Sequence, residues 1–436
     1  MEWQGHALLG LRAAEGLPDW EIEKLASTSM SPEAIGRAYM PTIRTVREKL
    51  GAYCQILDWI YQKEFERYAR MPDGRWVPHT PLKGNDGSFS FAANTALIAN
   101  LMTHLIRELR AGNWDEAICW AGALGHFVQE PFTPGHAFSN SLFHALFPDP
   151  NPNRNIKLHS GFDSAGGAFS PPRPMLLGQT IPEAANRIFS EMFKGLNRGY
   201  QFIEPVIQSV YRGEPKSRQQ EILMGQSQLA AQATVSAWHT AFCIAFDRFD
   251  ETESKCLDGL PLTMLPYYGA HLNRNETLFI GNVTDDLDQK VPMTVFTPEG
   301  EHTFTDGFSM YGHGAVKFFL NGAYSRFRFG LALPSRVLRG QDEHTLLDFT
   351  VETDDKENLV FSEDIIYHGN VILRETIQAG FALKWFELDI KDAISLIISS
   401  RAAPWTDEYG VVRFTVPDIV IVEPRLFKEN DRIPRG

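Results

Sequence analysis

In the stretch LGHFVQEPFTPGHAF, residues 124–138, His126 and Glu130 stand four apart and His136 follows after a proline-rich turn. On a helix, positions four apart lie one above the other, about 6 Å along the axis, so an imidazole and a carboxylate there can reach one cation. The device recurs in LHSGFDS, where His159 and Asp163 have the same spacing. Three imidazoles and two carboxylates within about forty residues make a donor set that suits zinc, which accepts both ligand types and tolerates an open coordination position. His6, Asp58 in QILDWIYQ and His79 in RWVPHTP add the ligand types that a site of several metals requires. One His-x-x-x-Glu pair alone reads as a surface pair or a satisfied core histidine, and Asp58 alone as a helix-face carboxylate near Lys63 or Arg67; two pairs with a histidine between them favour a metal. His104, His144 and His239, in or near helical segments, are read as structural.

These residues must be held by helices. From about residue 20 to 250 the apolar spacing is helical, most clearly in FAANTALIANLMTHLIRELRAG, NWDEAICWAGALGHFVQE, IPEAANRIFSEMFKGLNRGYQFIEPVIQSVYRG and SRQQEILMGQSQLAAQATVSAWHTAFCIAFDRF. Asn113, ahead of the acidic first turn WDEA, predicts an N-cap. Beyond DETESKCLDGLPLTMLPYYG the period changes. KVPMTVFT, AVKFFL, SRFRFGLAL, LLDFTVET, NVILRETI, AISLIISS and VVRFTVPDIVIVEPRL alternate or are rich in β-branched residues, separated by Gly, Asp and Asn turns, as in a β-sandwich. The expected fold is therefore multidomain: an all-α domain over residues 1–255, then an all-β sandwich over residues 262–436, with the boundary near 250–265.

At 436 residues there is ample chain for two domains. Hydrophobic content of 43% with 22% charged residues is ordinary for a globular protein, and no apolar run suggests a membrane span. A formal net charge of −13 disfavours broad contact with phosphate backbones, so no stable nucleic-acid partner is expected. Cys54, Cys119, Cys243 and Cys256 are widely spaced with no Cys-x-x-Cys pair, which argues against a zinc ribbon or a disulfide scaffold; Cys119 and Cys243, in apolar helical surroundings, read as small buried hydrophobes. The first residues, MEWQGHALLG, lack the basic and long apolar regions of a signal peptide, which leaves either a cytoplasmic protein or one whose leader has been removed.

The metal-ligating pattern resembles the helical domain of the zinc-dependent phospholipase C and single-strand-specific nuclease superfamily, His-x3-Asp-x5-His followed by His-x3-Asp/Glu. Here it reads His126, Glu130, His136, then His159 and Asp163, within a likeness over roughly residues 1–250. The resemblance implies two or three zinc ions. One would be held by Asp58, His79, His126 and Glu130, a second by His136, His159 and Asp163, and a third by Trp3, His6 and the other oxygen of a bridging Glu130. Two departures stand out: Glu130 replaces the usual Asp, and Trp3 follows Met1 and Glu2, so its nitrogen is an amide. A mature chain beginning at Trp3 after leader removal would restore the free amine and make this an exported protein, secreted or periplasmic. The second half, through Tyr324, Ser325, Arg326 and Phe327 and over about residues 262–425, resembles the NPCBM module, a carbohydrate-binding sandwich.

The resemblance implies a zinc-dependent phosphodiester hydrolase, phospholipase C-like, with Asp58 and Glu130 as catalytic residues. The substrate would be a phospholipid or a glycan-linked phosphodiester, with Phe138, Phe143 and Phe147 lining an apolar rim and the sandwich engaging a glycan or membrane surface. No GxSxG elbow suggests acyl transfer. Two alternatives stay open: a single-strand nuclease or 3′-nucleotidase using the same metals, and a non-catalytic metal- and glycan-binding protein. The Asp-rich turns VTDDLDQ and TDDKEN raise calcium as a further ligand, and oligomeric state is not legible.

Overall fold

In the computed structural model, which describes residues 4–28, 45–59, 63–71, 73–77, 90–137, 169–271, 278–284, 289–335, 343–354 and 369–429, the chain divides into two units, Met1–Ser254 and Lys255–Gly436. The first is helical: α1 (Gln4–Glu15), α2 (Asp19–Lys24), α3 (Val46–Tyr53), α4 (Phe91–Ala111), α5 (Trp114–Gln129), α6 (Ile181–Gly199), α7 (Ile203–Tyr211), α8 (Lys216–Phe246) and the short α9 (Glu251–Lys255). The second is antiparallel β. The expected fold class, helices followed by antiparallel sheets, is the one observed.

Local chemistry sets the helix ends. Thr45 caps α3 in a capping box: its hydroxyl accepts from the Glu48 amide at 3.2 Å while the Glu48 carboxylate accepts from the Thr45 amide at 2.7 Å. Ser90 accepts from the Ala93 amide to start α4. Asn113 departs from expectation. It occupies the N-cap position of α5 but makes no side-chain cap; its amide instead donates to Glu108 at 2.8 Å. The long helical run at 181–213 is interrupted by a 3₁₀ turn at Tyr200–Phe202, so α6 and α7 are separate.

Three helices cross closely in the middle of the unit. A β-carbon on Gly122 of α5 would lie 2.2 Å from the Tyr53 carbonyl oxygen at the end of α3, and one on Gly51 of α3 would lie 2.9 Å from the Ala7 carbonyl oxygen of α1. Only glycine permits both approaches, which pull α1, α3 and α5 together. Trp238 of α8 is fully buried beside them and donates to the Ala121 carbonyl at 2.7 Å. By length and composition α8 alone among the described helices could cross a membrane, but 83% of its most apolar 18-residue window is buried in this unit, as befits a core helix.

The β unit places two sheets around one apolar core. In the first, strands run in the order Lys384–Asp389, Arg326–Ala332, Asp418–Phe427, Gly307–Tyr311, Leu278–Ile280; in the second, Asn370–Gln378, Leu346–Asp354, Ser395–Ala402, Gly314–Phe319, Tyr267–His271. Every pairing is antiparallel. Phe308, Phe327, Phe329 and Ile421 from one sheet meet Phe318, Phe349, Val351 and Ile398 from the other in a single fully buried cluster. Of the Tyr-Ser-Arg-Phe motif, Tyr324 and Phe327 are core residues, the Ser325 amide donates to Phe427 and Arg326 sits 3.7 Å from Glu387.

Candidate metal centre

The C-terminal end of α5 presents His126 one turn before Glu130, and both are buried, at 0% and 2% exposure. His126 Nε2 lies 2.7 Å from Glu130 Oε1. The close α1 crossing brings His6 to the same oxygen, its Nε2 3.2 Å away. The turn after α5, Glu130–Phe132 and then Pro134–Ala137, folds His136 back so that its Nδ1 is 2.7 Å from Glu130 Oε2. One carboxylate therefore faces three imidazoles with both of its oxygens. Asp58, on the 3₁₀ turn Ile56–Trp59 that follows α3, comes within 3.8 Å of His126 Nδ1.

The outer partners fix which ring nitrogen faces the carboxylate as an acceptor. His126 Nδ1 lies 2.7 Å from the Cys54 carbonyl, which can only accept, so Nδ1 carries the proton and Nε2 turns a lone pair toward Glu130. Gln129 Oε1 holds His6 Nδ1 in the same way at 2.9 Å. The His6 and His126 rings stack with centroids 4.0 Å apart. Two acceptors cannot rest 2.7 Å apart without a positive charge between them. Protonating both stacked rings would put like charges face to face in a buried site, at high cost. Burial opposes charge on Glu130, but the His136 charge, together with the close His126, His136 and His6 ring nitrogens, holds its carboxyl well below the usual carboxylate range. A shared divalent cation answers this arrangement, and the N and O donors suit zinc. The donor atoms of His6, His126 and Glu130 lie within 4.8 Å of one another.

Of the other residues expected at the site, Trp3, His79, His159 and Asp163 lie outside the described residues, as do Phe138, Phe143 and Phe147. Sequence reasoning overlooked Gln129 and the Cys54 carbonyl; the first sits beside Glu130, and the second is a backbone group that no residue type signals. A cavity of about 770 Å³, lined by Arg67, Arg70, His104, Arg107 and Trp120 among others, opens at the opposite end of α5. Trp120 and Glu130 are ten residues apart on the chain, roughly 15 Å along a helix, so this cavity is not the metal centre's own cleft. His104, which lines this cavity, stacks on Trp120 with ring centroids 4.2 Å apart.

No family model matches the sequence. No curated protein matches it in sequence either. Among solved structures, the alpha toxin of Clostridium absonum aligns over 99% of this chain and 97% of its own, with 9% identity and a TM-score of 0.29. The β half aligns with carbohydrate-binding CBM51 modules. That of Clostridium perfringens GH95 in complex with methyl-galactose covers 38% of this chain and 99% of its own, at 12% identity and TM-score 0.28. The CBM51-2 and INT domains of Clostridium perfringens ZmpB cover 39% of this chain at 9% identity and TM-score 0.29, and this chain spans only 32% of that structure. At such scores these likenesses assign neither activity nor ligand.

Proposed function

We propose that the helical unit is a zinc-dependent phosphodiester hydrolase of the phospholipase C type, and that the β unit brings it to a lipid or glycan surface. The observation that carries this reading is the buried Glu130 carboxylate facing His6, His126 and His136 with both oxygens. His6 and His126 would hold zinc through Nε2, with Glu130 bridging, and the ions would number two or three once His79, His159, Asp163 and Trp3 join. Bound zinc would supply Lewis acidity toward phosphoryl oxygens and acidify water at neutral pH. Gln129 and the Cys54 carbonyl keep the imidazole protons on Nδ1. Asp58, with its side chain 16% exposed and 3.8 Å from His126 Nδ1, is proposed as the carboxylate that orients water and accepts its proton. Phe138, Phe143 and Phe147 are proposed to form the apolar rim for acyl chains.

On the β unit, the hairpin Pro404–Thr406/Val412–Phe414 carries Tyr409, Val412 and Phe414 at 80%, 60% and 54% exposure. Apolar side chains held out on one ribbon support contact with a surface rather than a purely structural role.

The test is direct. Full-length protein, stripped and reloaded with zinc, is assayed in parallel on choline-phospholipid vesicles, a soluble phosphodiester and single-stranded DNA. Turnover of the phospholipid that disappears in His136→Ala is the expected result. Activity on DNA alone would make the protein a nuclease, and less than one zinc per chain with no turnover would make it a non-catalytic binding protein. Retained binding to glycan-coated beads after Tyr409→Ser and Phe414→Ser would free the hairpin of its assigned role.

A further inference from the structure

Away from Glu130, the helical unit buries a second cluster of ligand-type side chains. Glu21 on α2 is fully buried, and His239 and Cys243, four apart on one face of α8, are 5% and 2% exposed. Glu21 Oε1 lies 2.5 Å from His239 Nδ1, Cys243 Sγ lies 3.6 Å from His239 Nε2, and Glu253 Oε2 of α9 approaches that same nitrogen at 3.2 Å. One donor atom from each of Glu21, His239 and Cys243 falls within 4.8 Å of the others. A protonated imidazole clamped by two carboxylates explains two of these contacts. It leaves the thiol packed against the ring without function, and Glu21 Oε2 buried with no hydrogen-bond partner among the described residues.

We propose that Glu21, His239 and Cys243 form a second site for a divalent, thiolate-accepting metal ion of the zinc type. Carboxylate, imidazole and thiolate are all zinc donors, and here one of each is buried within reach of a single ion. Trp20 and Phe242, chain neighbours of Glu21 and Cys243, pack edge-on against each other. Loading releases one proton from the imidazolium and one from the thiol, so the cluster's net charge is unchanged and burial does not oppose it. The ion would tie α2 to α8. This site stands independently of the hydrolase reading, since it shares no residue with the Glu130 centre.

The experiment uses the full chain carrying Cys256→Ser, which removes the exposed thiol. Reloading with Co²⁺ should produce a near-ultraviolet thiolate-to-cobalt charge-transfer band and one more equivalent of metal than the Glu130 centre binds. Both should be lost in Cys243→Ser and in Glu21→Gln, and both should persist in His136→Ala. A band that survives Cys243→Ser but vanishes in Cys54→Ala would place the thiolate elsewhere and overturn the proposal. If the substituted chains fail to fold, zinc-edge absorption of the unsubstituted protein decides: a sulfur shell at about 2.3 Å is expected, and nitrogen and oxygen shells alone would overturn the site.

Discussion

The C-terminal end of α5 carries Glu130, 2% exposed and ringed by imidazoles, whereas near the N-terminus of the same helix Glu116 meets Arg67 with side chains 34% and 60% exposed. Glu116 also accepts from the Tyr68 hydroxyl at 2.9 Å, and a second pair, Arg107–Glu108, lies along the same cavity. Both ends pair carboxylates with nitrogen cations, yet the physical terms differ. At the N-terminal end water reaches Arg67, Glu116 and Arg107, though not the buried Glu108, so the pairs gain little by meeting. At the C-terminal end the charges have lost water, and only a compensating charge or ion makes the cluster tolerable. Guanidinium groups, which never give up a proton, suit the wet end; imidazoles, which can offer a lone pair, suit the end that would hold a metal. Exposure, more than residue count, separates a candidate centre from a charged surface.

Glu130→Gln should break this contrast most severely. The substitution keeps the size and one acceptor but removes the charge shared among three rings. Bound zinc and phosphodiester turnover should both fall by more than the roughly 10–100-fold that losing an outer partner costs a metal site. Retained zinc in this variant, with a normal circular-dichroism spectrum, would sever the carboxylate from the metal.

Gly122→Ala acts midway along the same helix. The new methyl group would meet the Tyr53 carbonyl at 2.2 Å, a backbone atom that cannot rotate away. Separating α5 from α3 should cost about 1–3 kcal/mol, read as a lower urea midpoint at unchanged slope, and should loosen Cys54 and Asp58 from His126 so that zinc affinity falls as well. A drop in stability with no change in zinc affinity would mean that this crossing does not align the centre.

How far the sequence revealed these features depends on the range of the interactions. Alternation marked KVPMTVFT, which is the strand Lys290–Thr297, and LLDFTVET within Leu346–Asp354, because burial of one sheet face repeats every second residue. His126 and Glu130 were legible for the equivalent reason on a helix. Glu21 was not: its partner His239 lies 218 residues away, and no local period links α2 to α8. His239 and Cys243 accordingly read as core residues, which by burial they are, while the carboxylates on either side of the ring went unseen. Asn113 misled as a cap: its amide nitrogen donates to Glu108, five residues back, while its oxygen accepts from no helix amide, an orientation set by packing rather than by residue type. His6 entered by residue type alone, with no spacing to link it to Glu130, its approach being made by the glycine-mediated crossing of α1 and α3.

Glu116→Gln should then display the weakness of the exposed end. It preserves an acceptor for Tyr68 and discards an ion pair screened by water, so stability should change by less than about 1 kcal/mol, with zinc content untouched. A larger loss in thermal denaturation would show that the cavity end of α5 is as dependent on its charges as the buried end.

His104 offers the finest measure of the same distinction. Burial against Trp120, aided by the Arg107 charge and opposed by Glu108, lowers its pKa below the ordinary histidine value of about 6.5. The unfolded chain therefore binds a proton there before the folded one does. Above pH ~6.5 both states are neutral at this ring and its contribution to stability is complete; as the pH falls through the folded pKa that contribution is lost. His104→Phe keeps an aromatic face on Trp120 and removes the titration. Its unfolding free energy, measured from pH 7.5 downward under conditions where the metal centre is stripped, should decline less steeply below about pH 6.5 than that of the unsubstituted protein. Parallel curves would mean that solvent at this cavity screens the ring fully, and that the boundary between the wet and dry ends of α5 lies beyond Trp120.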